Sequence, residues 1–206
     1  MEYFFYCRDR PGSMPLRWEL NEAHWAFMDR YAEQMIARGP TLAADGETAT
    51  GSMHIVDLPD AAAAHGFAFD EPNYRAGVYA DVLIRRWQNT LGRTMWQYES
   101  AYASGQAGHR RFLIIAHGVP GATAARDALK AEHHRHLDRD HREHLIAYGP
   151  LLSQDGTDWL GTALLVELPD REAAETMMAA EPYARGGLYR SVEIHDWRFG
   201  GRPAAE

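Results

Sequence analysis

The sequence predicts an α+β protein built from two copies of one domain. Three observations predict it: a long internal repeat, an apolar run heading each copy, and turn residues recurring at matching positions. At an offset of 110, IARGPTLAADGE (36–47) lies over IAYGPLLSQDGT (146–157), VDLPDAAAA over VELPDREAA, and EPNYRAGVY over EPYARGGLY. From His24 to Trp87 no gap is needed, and 24 of the 64 aligned positions are identical, far above chance. Self-similarity of that length marks a duplicated structural unit. Upstream of His24 the offset is 109, aligning Pro11-Gly12 with Pro120-Gly121, which implies that one residue was gained or lost near the start of the first helix.

The elements follow in order. Tyr3–Cys7 and Phe112–Ala116 are apolar runs with a Gly/Pro turn behind them, as a buried strand requires. A long helical pattern follows, and Gly39-Pro40 and Gly149-Pro150 read as its stop. Segments near 51–58 and 159–168 read as strands. Pro59-Asp60 and Pro169-Asp170 open an Ala-rich helix, the Asp placed in its first turn where the helix dipole favours it. A last strand runs near 80–87 and 190–197. The order is β-α-β-β-α-β, the ferredoxin-like arrangement. Domains are expected at 1–88 and 110–200, with a linker at 89–109 and a tail at 201–206. A sheet with helices on one face leaves the other apolar and uncovered. The second copy is its expected cover, in a sheet-to-sheet pseudo-dimer; further homo-oligomerisation is left open.

Composition narrows the function class. The chain is 46% hydrophobic and 24% charged, with a net charge of −8. That balance suits packed cores and disfavours nucleic acid, whose backbone needs clustered Lys and Arg. A small-molecule ligand is expected. One cysteine, Cys7, rules out an intramolecular disulfide, and its place among strand aromatics makes it a core residue. The start MEYFFYCRDR is no secretory signal, and no run approaches a membrane span, so a cytoplasmic protein without a membrane partner is expected. There is no P-loop, dinucleotide fingerprint or nucleophile elbow.

With the repeat in view, each half resembles the YciI-like (YCII-related) family of the dimeric α+β barrel superfamily. The resemblance rests on the apolar first strand, a His in the first helix, the Gly-Pro, Gly51-Ser52 and Gly161-Thr162 heading the third strand, and an acid-Pro motif before a Gly-φ-Tyr turn. It implies two such domains packed as a pseudo-dimeric α+β barrel, each with a His–carboxylate acid–base pair. It also implies no cofactor and, in members of assigned activity, chemistry on small ring compounds, including dehydrochlorination of a chlorinated hydroxyquinol. The family His maps onto His24 and His134, and the family acid onto Glu71 and Glu181. Both copies carry Glu where the family usually has Asp before Pro. Ser52 is a candidate substrate contact.

The residues support a site of that kind. His24, Phe27, Tyr31 and Met35 fall at helical spacing on one stripe, as do His134, Leu137, His141 and Leu145. An imidazole there, beside a carboxylate, would have a fixed tautomer and raised basicity, as a general base needs. The plain alternative is a buried structural His. Arg75 and Arg185 offer bidentate contacts to an anion or, more simply, surface ion pairs. Tyr79 and Tyr189 offer hydroxyls or pack at the head of the last strand. His134, Asp138 and His141 form a possible divalent ligand set in the second copy alone; it is discounted, and no metal is expected. The first copy keeps the more apolar surroundings and is the expected better site. The function read from all this is a cofactor-independent lyase- or isomerase-like enzyme acting on a small ring or enolisable compound. The alternative is a non-catalytic binding or accessory module.

Overall fold

A computed structural model of the chain describes residues 1–100 and 109–201. It is α+β, as predicted, and divides into two units. The first comprises Met1–Trp87 with the segment from Arg198 onward, and the second Gln88–Trp197. Of the expected linker, residues 101–108 lie outside the described residues, as does the tail beyond 201. Residues 88–100 belong to the second unit and include a 3₁₀ turn, Met95–Gln97.

The first unit runs β1 (Glu2–Asp9), α1 (Met14–Glu19), α2 (Asn21–Asp29), β2 (Met35–Leu42), β3 (Ala49–Asp57), α3 (Ala61–Phe69), α4 (Pro72–Arg75) and β4 (Tyr79–Trp87). Its sheet is antiparallel in the order β2-β3-β1-β4. The second runs β5 (Arg110–Gly118), α5 (Thr123–Arg135), β6 (Leu145–Leu152), β7 (Trp159–Leu168), α6 (Arg171–Ala180), α7 (Pro182–Arg185) and β8 (Tyr189–Trp197). Its order, β6-β7-β5-β8, is the same. Phe27, Met28, Phe67 and Ala64 pack on Tyr3, Phe5 and Val56 in the first unit. Leu137, Ala174, Met177 and Met178 pack on Phe112, Ile114 and Val166 in the second. Burying side chains of this size is worth roughly 1.5–3 kcal/mol each, so these clusters hold the helices on the sheets.

Two expectations are corrected. Gly39-Pro40 and Gly149-Pro150 do not stop a helix. They lie inside β2 and β6, where Pro40 pairs with Ser52 and Pro150 with Thr162. The helix has already ended at Asp29, so Met35 belongs to the strand and not to the helical stripe. The inserted residue is also not at the helix start. In the second unit α5 runs into a single π turn, His136–Asp140, which holds one residue more than an α turn. The offset therefore stays 109 through the helix, matching Arg17 with Arg126, His24 with His133, Met28 with Leu137 and Arg30 with Arg139. It becomes 110 only at β2 and β6.

The Pro-Asp prediction is sharpened: Asp60 and Asp170 are N-caps, accepting from Ala63 N and Ala173 N, each at 2.8 Å. The glycine heading each third strand is a close-approach position. A Cβ on Gly51 would sit 2.6 Å from the Cys7 carbonyl oxygen, and Gly161 has φ +145°. That approach brings the next residue, Ser52 or Thr162, against β1 or β5.

Candidate active site

In the first unit the site begins with Glu71. It caps α4, with Oε2 accepting from Tyr74 N at 2.9 Å, and it is 3% exposed. Its other oxygen, Oε1, lies 2.5 Å from His24 Nδ1. A carboxylate held at both oxygens favours the proton on Nδ1, leaving Nε2 as the acceptor. The longer Glu side chain thus reaches the His while serving as a helix cap. His24 lines a cavity of about 160 Å³, together with Arg17, Trp25, Arg38, Ser52 and His54 among others.

A polar chain runs back from the cavity wall at Arg17 and Ser52. Arg17 of α1 donates to both oxygens of Asp9, at 3.0 and 3.1 Å, and to Ser52 Oγ at 2.8 Å. Asn73 Nδ2 donates to Tyr79 Oη, and Tyr79 Oη donates to Ser52 Oγ, both at 3.3 Å. Ser52 Oγ is therefore an acceptor twice over, which leaves its own hydrogen to be given elsewhere. Burial, with Glu71 nearby, holds the Tyr79 hydroxyl well above the ordinary tyrosine value, so it stays a donor. Burial raises the Asp9 carboxyl to about 6 although Arg17 pulls it down. Burial, and then the charges of His24, Arg17 and Arg38, hold His54 well below the ordinary histidine value, so it is neutral. Cys7 is buried, and burial and Glu71 push its thiol far up, so it is no nucleophile.

In the second unit the partner of Glu181 is His133, not His134 as expected; the π turn accounts for the shift. His133 Nδ1 contacts Glu181 Oε1, and Glu181 Oε2 accepts from Ala184 N at 3.0 Å, capping α7. Tyr183 stacks on His133 with ring centroids 4.0 Å apart and planes 11° apart, and Trp159 packs edge-on against Tyr183. His133 is 4% exposed. Tyr189 Oη donates to Thr162 Oγ1 at 3.1 Å. This unit has its own cavity of about 320 Å³, which both His133 and His134 line.

The two arginines lie elsewhere. Arg75 pairs with Asp70 at 2.5 Å, with both side chains more than half exposed, and Arg185 is exposed. Neither lines the cavity described for its unit. Asp138 accepts from Tyr148 Oη at 2.9 Å, and His141 packs against His136. Among the described residues no three His, Cys, Asp or Glu side chains come together as a metal-binding group, and no helix is long and apolar enough to cross a membrane. Arg17, Asp9, His54 and Asn73 were not foreseen. Reading the helix at offset 109 would have found Arg17, since Arg126 matches it.

Comparison with known proteins follows the repeat. The model of the YCII-related domain matches residues 1–88 and again 110–198. An uncharacterized protein of Haemophilus influenzae is 30% identical over 98 residues, covering 44% of this chain and all of that one. A 5-chloro-2-hydroxyhydroquinone dehydrochlorinase from Burkholderia phenoliruptrix, solved with 2,5-dihydroxybenzoquinone, is 30% identical. It covers 45% of this chain and 99% of that chain, at a TM-score of 0.43. Chlorite dismutase from Candidatus Nitrospira defluvii, solved with imidazole, matches 96% of this chain and 91% of its own at a TM-score of 0.58. Its 12% identity makes that a likeness of fold.

Proposed function

We propose, for a chain that belongs to the YCII-related family in both of its repeats, that the first unit is a cofactor-independent acid–base enzyme acting on a small ring or enolisable compound. The observation that carries this reading is the His24–Glu71 pair beside a cavity, with Nδ1 engaged and Nε2 left for a ligand. His24 Nε2 takes a proton from a carbon next to a carbonyl, in an open chain or in the keto form of a hydroxylated ring. Glu71 holds the Nδ1–H and stabilises the imidazolium that results. The electron pair left behind moves onto the substrate oxygen, where Ser52 O–H donates to the developing charge and Arg17 polarises that donor. Return of the proton at another carbon completes an isomerisation. Departure of a leaving group with its electron pair completes an elimination. A purely structural His is the weaker reading for this unit, because a sealed His would have no cavity beside it.

The test needs no prior substrate assignment. Small β-keto acids, lactones and hydroxylated aromatics are incubated with the full chain in deuterium oxide, and C–H exchange is followed by proton NMR. Wild type should exchange at least one class, and His24→Gln should slow that exchange at least a hundredfold, within the usual range for a lost general base. Exchange by His24→Gln at the wild-type rate overturns the mechanism.

A further inference from the structure

The second unit has a cavity whose chemistry differs from the first. Along α5, Arg126, Lys130, His133 and His134 fall at i, i+4, i+7 and i+8, so one helix face turns four nitrogen-bearing side chains toward it. Among the described residues no Asp or Glu lines it. In the first unit the same helix positions hold Arg17, Asn21, His24 and Trp25, and Arg17 is matched by buried Asp9. The residue opposite Asp9 in the repeat is Gly118, so Arg126 has lost the buried carboxylate its counterpart keeps. The carboxylate beside Arg126 is Asp127, at 2.8 Å and 57% exposed, where solvent screens the pair.

The remaining wall is aromatic: Tyr148, Trp159 and Tyr183 line the same space. Arg126 Nε and Trp159 Nε1 are buried donors with no acceptor among the described residues. A lysine, an arginine whose ion pair is solvent-screened, and two buried N–H groups without acceptors call for a ligand rich in acceptors and negative charge, and ring walls call for a flat one. Burial, then His133, Lys130 and Arg126, hold His134 below the ordinary histidine value against a pull from Asp138. That agrees with a surround of excess positive charge.

We propose that the cavity of the second unit is a binding site for a small aromatic carboxylate, with Arg126 and Lys130 facing the carboxylate and Tyr148, Trp159 and Tyr183 facing the ring. It is separate from the chemistry assigned to His24 and does not depend on it. The Glu181–His133 pair stands behind it as structure, capping α7 and stacking on Tyr183.

Isothermal titration of the full chain at neutral pH tests this, with benzoate as the probe, benzamide as its uncharged isostere and inorganic phosphate as the ringless anion. Benzoate should bind at least tenfold more tightly than either. Arg126→Gln and Lys130→Gln should each weaken benzoate about tenfold, the loss of one charge-assisted contact, while His24→Gln leaves it unchanged. Thermal melting confirms that each variant is folded, and the exposed Lys130 keeps the test informative should Arg126→Gln fail to fold. Equal binding of benzoate and benzamide, phosphate binding as tightly as benzoate, no benzoate binding, or a loss confined to His24→Gln each overturns the proposal.

Discussion

In the first unit the His–Glu pair stands beside a chain of donors running from Asn73 through Tyr79 to Ser52, braced by Arg17 and Asp9. In the second unit the same pair is packed under rings: Tyr183 replaces Asn73, Trp159 replaces Ala49, and Gly118 replaces Asp9. The replacements are coupled. A Cβ on Gly118 would lie 2.8 Å from Trp159 Cζ3, so the tryptophan occupies room that the lost side chain vacated. The comparison separates two reasons for keeping a residue. Glu71 and Glu181 each cap a four-residue helix, a demand both units share whatever their chemistry. Retention of the pair thus says little about catalysis; the surroundings carry that information.

The largest expected effect tests whether the units divide the labour. His24→Gln should cost activity a hundredfold or more, and His133→Gln should leave turnover within about twofold while lowering the melting temperature, because it unpairs a buried carboxylate. Equal losses in the two variants would make both sites catalytic. Next, Trp159→Ala should destabilise the chain by about 3–5 kcal/mol, read from urea unfolding, as expected when a buried tryptophan leaves a cavity. Gly118→Asp should be destabilising by about 1–3 kcal/mol on the wild-type background through overpacking. In the Trp159→Ala background it should cost at least about 1 kcal/mol less, since the clash is gone and Arg126 gains a partner. Strict additivity would show that the two positions are not coupled.

A smaller effect concerns pH. Asp9 titrates near 6 in the folded chain, above the roughly 3.9 of an unfolded aspartate. The folded chain therefore holds this proton more tightly. The stability it lends is fully present below pH 4 and is lost as pH rises through 6. Asp9→Asn should flatten the dependence of melting temperature on pH between 4 and 6; an unchanged profile would mean that Asp9 titrates normally. No such dependence is expected from position 118. Smallest of all, Arg75→Ala should change stability by less than about 1 kcal/mol and leave deuterium exchange intact, as an exposed ion pair implies. A large loss of exchange would return Arg75 to the site.

Much of the fold was legible because the repeat is an alignment in its own right. The strand runs, the Asp caps and the Glu-Pro motifs recur with their neighbours, and each has a local physical cause. The pairing of Glu71 with His24 was also legible. The pairing of Glu181 was not, because adjacent histidines, His133 and His134, let an ungapped comparison choose the wrong one. β2 was hidden by Gly39-Pro40, whose usual meaning as a stop is overridden here by pairing with β3. Arg17, Asp9 and Ser52 come from three different elements, with Ser52 35 residues beyond Arg17, and no local pattern signals that tertiary packing joins them.

The wide turn at His136–Asp140 has a consequence for how such chains diverge. From His24 to Met35 is 11 positions, and from His133 to Leu145 is 12. Passed along an α-helix, the additional residue would rotate everything after it by about 100° and carry Leu145 off the core. Taken up in one loop of larger circumference, it leaves the geometry on either side untouched. An indel can therefore be almost silent in space while throwing the two copies out of phase on paper. Equivalence between duplicated halves is then defined by which atom a side chain meets, and numbering is only a proxy for it.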